Sequence, residues 1–205
     1  MHAKRQTINK SWPIPRKGTK YIAVPRDKKN GVPLIVVLRD ILKAAKTRKE
    51  VKSILNQGLV SINEKIRKEE NFPVLPFDII GVGDKTYELV FSDKGKLQLR
   101  ETKRKEMILK IVGKKILRLK KIQLNLLYGK NIISEEKVNV GDSVVIKDNK
   151  IVKVLHLEKG REVTIFAGKY KGREGKIENI KEKITTLSCK NEKINVPAES
   201  VMVIK

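Results

Sequence analysis

The sequence predicts an α+β chain in four parts: a basic N-terminal arm (1–31), a small α/β domain (32–84), a β-rich, barrel-like central domain (85–158) and a small C-terminal β-barrel (159–205). Three observations predict it. Apolar residues recur at helical spacing between Pro33 and Leu55; beyond Tyr87 they alternate in short runs punctuated by Gly, Asn and Asp; and residues 1–31 show no apolar period at all.

The arm carries nine Lys/Arg against Asp27 alone, a local charge of +8. Pro13, Pro15 and Pro25 and scattered Gly imply an extended segment that orders on a polyanion. Lys4, Arg5, Lys10, Arg16, Lys17 and Lys20 are its candidate phosphate contacts, and Trp12 and Tyr21 are candidate anchors against a base or a neighbouring protein.

Pro33 suits the first turn of a helix whose apolar face is Leu34, Leu38, Ile41, Leu42 and Ala45. Thr47 with Glu50 three residues on makes a capping box for a second helix, with Val51, Ile54 and Leu55 as its stripe. Gly58 stops that helix, Leu59–Ile62 alternates as a strand, and Asn63-Glu64 turns the chain.

Tyr87–Phe91 and Leu97–Arg100 flank the turn Ser92-Asp93-Lys94-Gly95, a β-hairpin. Residues 103–121 hold nine basic residues and Glu106 as the one acid, interleaved with aliphatics and broken at Gly113. They read as two strands with one apolar and one cationic face; a single basic amphipathic helix is the alternative, disfavoured by Gly113 and the β-branched content. Lys114, Lys115, Arg118, Lys120 and Lys121 are candidate phosphate contacts. Ile122–Leu126, a turn at Gly129-Lys130-Asn131, Val140–Ile146 and a reversal at Asn149 continue the β pattern.

The last part contains Gly160-Arg161-Glu162-Val163-Thr164-Ile165-Phe166-Ala167-Gly168-Lys169-Tyr170-Lys171-Gly172-Arg173-Glu174-Gly175-Lys176-Ile177. Gly168 and Gly172 permit a tight turn, and Gly175 permits close backbone packing where the second strand restarts. Lys169, Lys171 and Arg173 stand on the loop to meet phosphates, and Tyr170 to cover a sugar or base. The pattern looks like a KOW motif, which with Ile184–Leu187, Val196 and Val201–Ile204 completes an SH3-like barrel.

Composition bounds the function. With 47 Lys+Arg against 23 Asp+Glu the net charge is +24, which calls for a polyanionic partner, foremost nucleic acid. No long apolar run or signal peptide points to a membrane. One cysteine, Cys189, and two histidines, His2 and His156, assemble no familiar zinc spacing, so neither metal nor cofactor is expected; Cys189 and His156 read as packing residues. Nine aromatic residues are too few and scattered for a base-stacking sheet.

Leu38-Arg39-Asp40, Thr47-Arg48-Lys49, Gly58–Asn63 and Asp78-Ile79-Ile80 resemble the small RNA-binding domain shared by ribosomal proteins and RNA-modifying enzymes. That resemblance implies RNA contacts by Arg39, Lys46, Arg48, Lys49, Lys52, Lys65 and Arg67. Glu64 stands where that family has Gly. Together with Ser11-Trp12-Pro13, Phe72-Pro73-Val74, Gly129–Ile132 and the C-terminal motif, the chain resembles the e-type fourth protein of the small ribosomal subunit, the S-four-e family of archaea and eukaryotes. Tyr128 replaces that family's Asp, and its Gly-Pro-His near 28–31 is missing.

The resemblance implies a non-catalytic, cytoplasmic constituent of the small subunit that binds ribosomal RNA and neighbouring ribosomal proteins, with no small-molecule substrate. Two other classes compete. An RNA-modifying enzyme needs convergent acid–base groups, and no such pair is apparent; a transcription elongation factor uses KOW barrels, but with a different α/β domain. By segment, residues 32–84 hold nine basic and seven acidic residues, only +2, so the most recognisable binding domain is the least charged part and reads as the piece that positions RNA.

Overall fold

In the computed structural model, which describes residues 2–28, 30–117, 121–181, 184–189 and 192–205, the chain forms two compact units, 1–105 and 106–205. The N-terminal segment is folded where the sequence implies an extended arm. Strand β1 (His2–Lys4) pairs antiparallel with β2 (Tyr21–Ala23). Arg5 ties the intervening loop: its Nε donates to Thr19 O (2.8 Å), Nη1 to Pro15 O (2.9 Å) and Nη2 to Thr19 Oγ1 (2.7 Å). Trp12, Ile22 and Val24 are buried. The rigid guanidinium fork and the apolar side chains together offset the ordering entropy that Pro and Gly alone would not.

Next come β3 (Val32–Pro33), helix α1 (Leu34–Val36) and a π-helical turn (Val37–Ile41). This segment is shorter than its apolar spacing implies, and Leu34 to Leu38 are all buried, so no polar stripe exists there. Its end is widened: Leu42 N–H donates to Val37 O and Ala44 N–H to Leu38 O, both at 2.9 Å, and Lys43 has φ +57°. Helix α2 (Arg48–Asn56) has the expected capping box, with Glu50 N–H on Thr47 Oγ1 at 3.3 Å.

Gly58, at φ +74°, closes α2. Strands β4 (Val60–Ile62) and β5 (Lys65–Ile66) meet through Asn63 and Glu64, both at positive φ. Asn63 is clamped: its Nδ2 donates to Asp78 Oδ1 (2.8 Å) and its Oδ1 accepts from Ile79 N–H (3.0 Å). After β6 (Pro73–Val74), which pairs with β3, come β7 (Ile79–Val82), β8 (Lys85–Phe91) and β9 (Leu97–Glu101). The sheet order is β5-β4-β7-β8-β9. The hairpin β8–β9 therefore extends the sheet of the first unit, and Leu97 N–H donates to Ser11 O at 2.7 Å, joining it to the N-terminal loop.

The second unit is all strand apart from two short 3₁₀ turns among its described residues. Strand β10 (Met107–Ile116) is one ten-residue strand where the sequence pattern implies two. Gly113 does not break it; the register shifts between Ile111 and Gly113, so the extra residue is taken up as a bulge while the ladder resumes. With β11 (Ile122–Leu126), β12 (Asn131–Ser134), β13 (Ser143–Lys147) and β14 (Lys150–Leu155) it forms a sheet ordered β12-β11-β10-β13-β14. Asp148 and Asn149, at φ +49° and +60°, make the expected β13–β14 turn.

Strands β15 (Glu162–Ile165), β16 (Glu174–Lys181), β17 (Ile184–Cys189), β18 (Glu192–Pro197) and β19 (Val201–Val203) form a second antiparallel sheet, ordered β18-β17-β16-β15-β19. The two sheets share one core, in which Ile108, Val145 and Leu155 meet Val163, Ile165, Leu187, Val196 and Val203. Cys189 is buried in it, and its thiol is held above its usual range by burial. His156, read as a packing residue, is instead half exposed, with Nδ1 2.9 Å from Oδ2 of the buried Asp142.

Candidate nucleic-acid interface

In the first unit exposed cations lie on and just before α2, on the β4–β5 hairpin, on the N-terminal loop and along the β8–β9 hairpin and the residues after it. The capping box fixes the start of α2. Glu50 Oε2 accepts from Lys46 N–H (2.8 Å) and Thr47 N–H (3.4 Å), and the Lys46 backbone bond is the main cause holding that carboxyl below the usual carboxylate range. Lys46, Lys49, Lys52 and Lys65 are exposed and, among the described residues, make no ion pair.

The arginines behave differently. Arg39 binds Asp40 through Nε (3.0 Å) and Nη2 (2.8 Å). Arg48 binds Glu70 bidentately, Nε to Oε2 at 2.8 Å, and this bond lowers the Glu70 pKa and raises that of Arg48. A phosphate reaching either guanidinium must share it with a carboxylate. Arg67 stacks on Phe72, Cζ 4.3 Å from the ring centre, and its buried Nε has no hydrogen-bond partner among the described residues.

On the N-terminal segment, Lys4, Lys10, Arg16, Lys17 and Lys20 are exposed, with Lys20 5.5 Å from the Tyr21 ring centre. Arg5 is turned to structural use, holding the loop, and Trp12 is 6% exposed.

In the second unit the β10 lysines occupy both faces of the strand. Lys114 stands opposite Leu124 and Lys115 opposite Gln123, so strict alternation places these adjacent cations on opposite sides in place of the single cationic face the pattern implies. Lys114, Lys115 and Lys121 are exposed, and Lys114 Nζ reaches Val138 O at 3.3 Å. Arg118 and Lys120 lie outside the described residues. Val112 and Ile116 are also exposed, Ile116 at 76%.

The loop between β15 and β16 is tightly built. Gly168 and Gly172 take φ +84° and +90°; Gly172 N–H donates to Ile165 O (2.7 Å) and Ile165 N–H to Arg173 O (3.0 Å). At Gly175 a Cβ would meet Cys189 Sγ at 2.6 Å and Ser188 O at 2.7 Å, so only glycine fits. Tyr170 lies between Lys169 and Arg173, 5.6 and 5.3 Å from its ring centre. Arg173 also pairs with Glu192 at 3.0 Å, and burial lowers the pKa of Lys171.

The sequence pattern missed the carboxylate partners Asp40, Glu70 and Glu192, and Lys96, which approaches the N-terminal loop. Only Asp40 had a local signal, being adjacent to Arg39. Glu70 lies 22 residues from Arg48. Among the described residues no group of His, Cys, Asp and Glu gathers to hold a metal ion, and no helix is long and apolar enough to cross a membrane.

Residues 32–80 match the family model described as the S4 domain, and residues 83–151 that described as Ribosomal family S4e. The small ribosomal subunit protein eS4 of Methanocella arvoryzae is 38% identical over 189 residues, 88% of this chain and 81% of that protein. The eS4 of Methanocaldococcus jannaschii is 30% identical over 227 residues, 99% of this chain and 93% of that protein. A crystal structure of ribosomal protein S4e from Thermoplasma acidophilum superposes with a TM-score of 0.73 at 29% identity, covering 86% of this chain and 96% of that one. Identity at this level along nearly the whole length, with the same fold, means that the chain belongs to the eS4 family of small-subunit ribosomal proteins.

Proposed function

We propose that the chain is a structural, non-catalytic constituent of the small ribosomal subunit in the cytoplasm, binding ribosomal RNA and adjoining ribosomal proteins. Its membership of the eS4 family carries this reading. The charge of +24 and the exposed cations on both units support it. Phosphate neutralisation with counterion release supplies the affinity, and the S4 domain fixes the register on the RNA.

Within that reading, residues 159–205 act as an SH3-like KOW module whose loop offers Lys169, Lys171 and Arg173 to phosphates, with Tyr170 as a rigid spacer between cations. The exposed lysines at 46, 49, 52, 65, 115 and 121 make direct phosphate contacts. Arg39 and Arg48, already bound to carboxylates, orient the surface around them.

Sucrose-gradient fractionation of cells at low salt tests the function. The protein is expected in the small-subunit fractions and to leave them as salt rises. A protein that stays at the top of the gradient at low salt refutes the reading.

A further inference from the structure

The N-terminal loop of the first unit encloses a cleft of about 260 Å³. Its apolar wall is Ile8, Trp12 and Ile14, and the cations Lys10, Arg16 and Lys96 stand around it. Resting on the RNA-binding reading above, we propose that this cleft is a subsite for a single unstacked RNA nucleotide, its base against the apolar wall and its flanking phosphates on the three cations.

Size, charge and rigidity support this occupant together. The volume lies just below the range of roughly 300–1,000 Å³ that drug-sized ligands fill, which suits one nucleotide and excludes a base-paired helix. Lys10, Arg16 and Lys96 are exposed and, among the described residues, make no ion pair, so an anion relieves their repulsion while an apolar peptide does not. A nucleotide combines a flat face with anionic flanks, and bases splayed from single-stranded loops are the usual targets of sequence-reading RNA contacts.

The cleft is also formed before any ligand arrives. Arg5, which lines it, holds Pro15 and Thr19 through three hydrogen bonds. Ser11 N–H donates to Asn9 Oδ1 at 3.0 Å, and Leu97 N–H to Ser11 O at 2.7 Å. Lys96 is brought in by the β8–β9 turn, where Ser92 N–H donates to Lys96 O at 2.7 Å. A site held in this way loses little ordering entropy when a nucleotide enters.

Trp12 is the sole tryptophan of the chain and reports on the cleft directly. The full chain is titrated with an unpaired oligouridylate of about eight nucleotides and with an abasic ribose-phosphate oligomer of the same length. Tryptophan emission and the anisotropy of end-labelled oligomer are read in parallel. The oligouridylate is expected to change Trp12 emission saturably and the abasic oligomer to leave it unchanged. Lys96→Gln, an exposed substitution, is expected to weaken the Trp12 response and to flatten its log–log salt slope by about 0.7. Equal responses to both oligomers would mean a phosphate site only and overturn the base assignment. Anisotropy showing binding without any Trp12 response overturns the cleft and leaves the RNA-binding reading intact. Absence of both signals, with the protein missing from small subunits, removes that reading too.

Discussion

Lys110 supplies a test of the second unit that is independent of RNA. It sits on β10, is 4% exposed, and its Nζ donates to Ala198 O (2.5 Å) and Val201 O (2.8 Å) below the Phe166 ring, 5.9 Å from its centre. Burial lowers its pKa from 10.5 to about 8, partly opposed by Glu199. Below pH 8 the amine is charged in both the folded and the unfolded chain. Between 8 and 10.5 the unfolded chain holds the proton more firmly, so raising the pH favours the folded state. At about 1.36 kcal/mol per pKa unit, stability from this group rises by about 2 kcal/mol between pH 7 and pH 9.5. Lys110→Met keeps the length of the side chain and removes the titration. Urea unfolding followed by far-ultraviolet circular dichroism at both pH values, for wild type and variant, isolates the effect, because other titrating groups cancel in the difference. Wild-type stability minus variant stability is expected to grow by that amount. A difference that stays flat or shrinks with pH would refute the argument that the buried amine is destabilised by its charge.

Glu64 at φ +66° occupies a backbone region that side chains enter at a cost; Glu64→Gly is expected to stabilise the first unit by about 0.5–1 kcal/mol in thermal unfolding. Gly175→Ala drives a methyl onto Ser188 O and Cys189 Sγ and is expected to destabilise the second unit by about 1–3 kcal/mol, with a normal melting temperature arguing against so close an approach. Neutralising Lys114, Lys115 and Lys121 together is expected to flatten the salt dependence of RNA binding by about 0.7–0.9 for each phosphate left unneutralised, and by more than Arg48→Gln with Lys49→Gln, because Arg48 is already bound to Glu70. A slope change for the second set that amounts to two phosphates and not one would show that the Glu70 pair does not compete with phosphate.

Features that rest on neighbours in sequence were legible in the sequence. The Thr47–Glu50 capping box, the Gly58 stop, the turn at Asn63-Glu64, the reversal at Asn149, and the close packing at Gly175 each follow from side chains within a few positions or from one missing Cβ. Features that rest on distant partners were not. The N-terminal segment folds because Arg5 reaches Thr19; β8–β9 joins β7 by long-range pairing; β10 remains one strand because β11 and β13 supply a ladder on both sides of the bulge. A charge tally counts Arg48 as a free cation, whereas the fold brings Glu70 to it from 22 residues away.

The core shared by the two sheets of the second unit has a consequence for the chain as it is made. Lys110 finds its carbonyl partner at Val201, 91 residues later, and Ile108 packs in one cluster with Val201 and Val203. At synthesis rates of about 5–20 residues per second, β10 waits roughly 5–20 s with its aliphatic and cationic side chains uncovered. Until β11 and β13 have been made it is a basic, apolar strand with open edges, the kind of segment that pairs with the wrong neighbour, and after that only its core-facing side chains still lack partners. The core of this half therefore closes only when the last strand of the chain is in place.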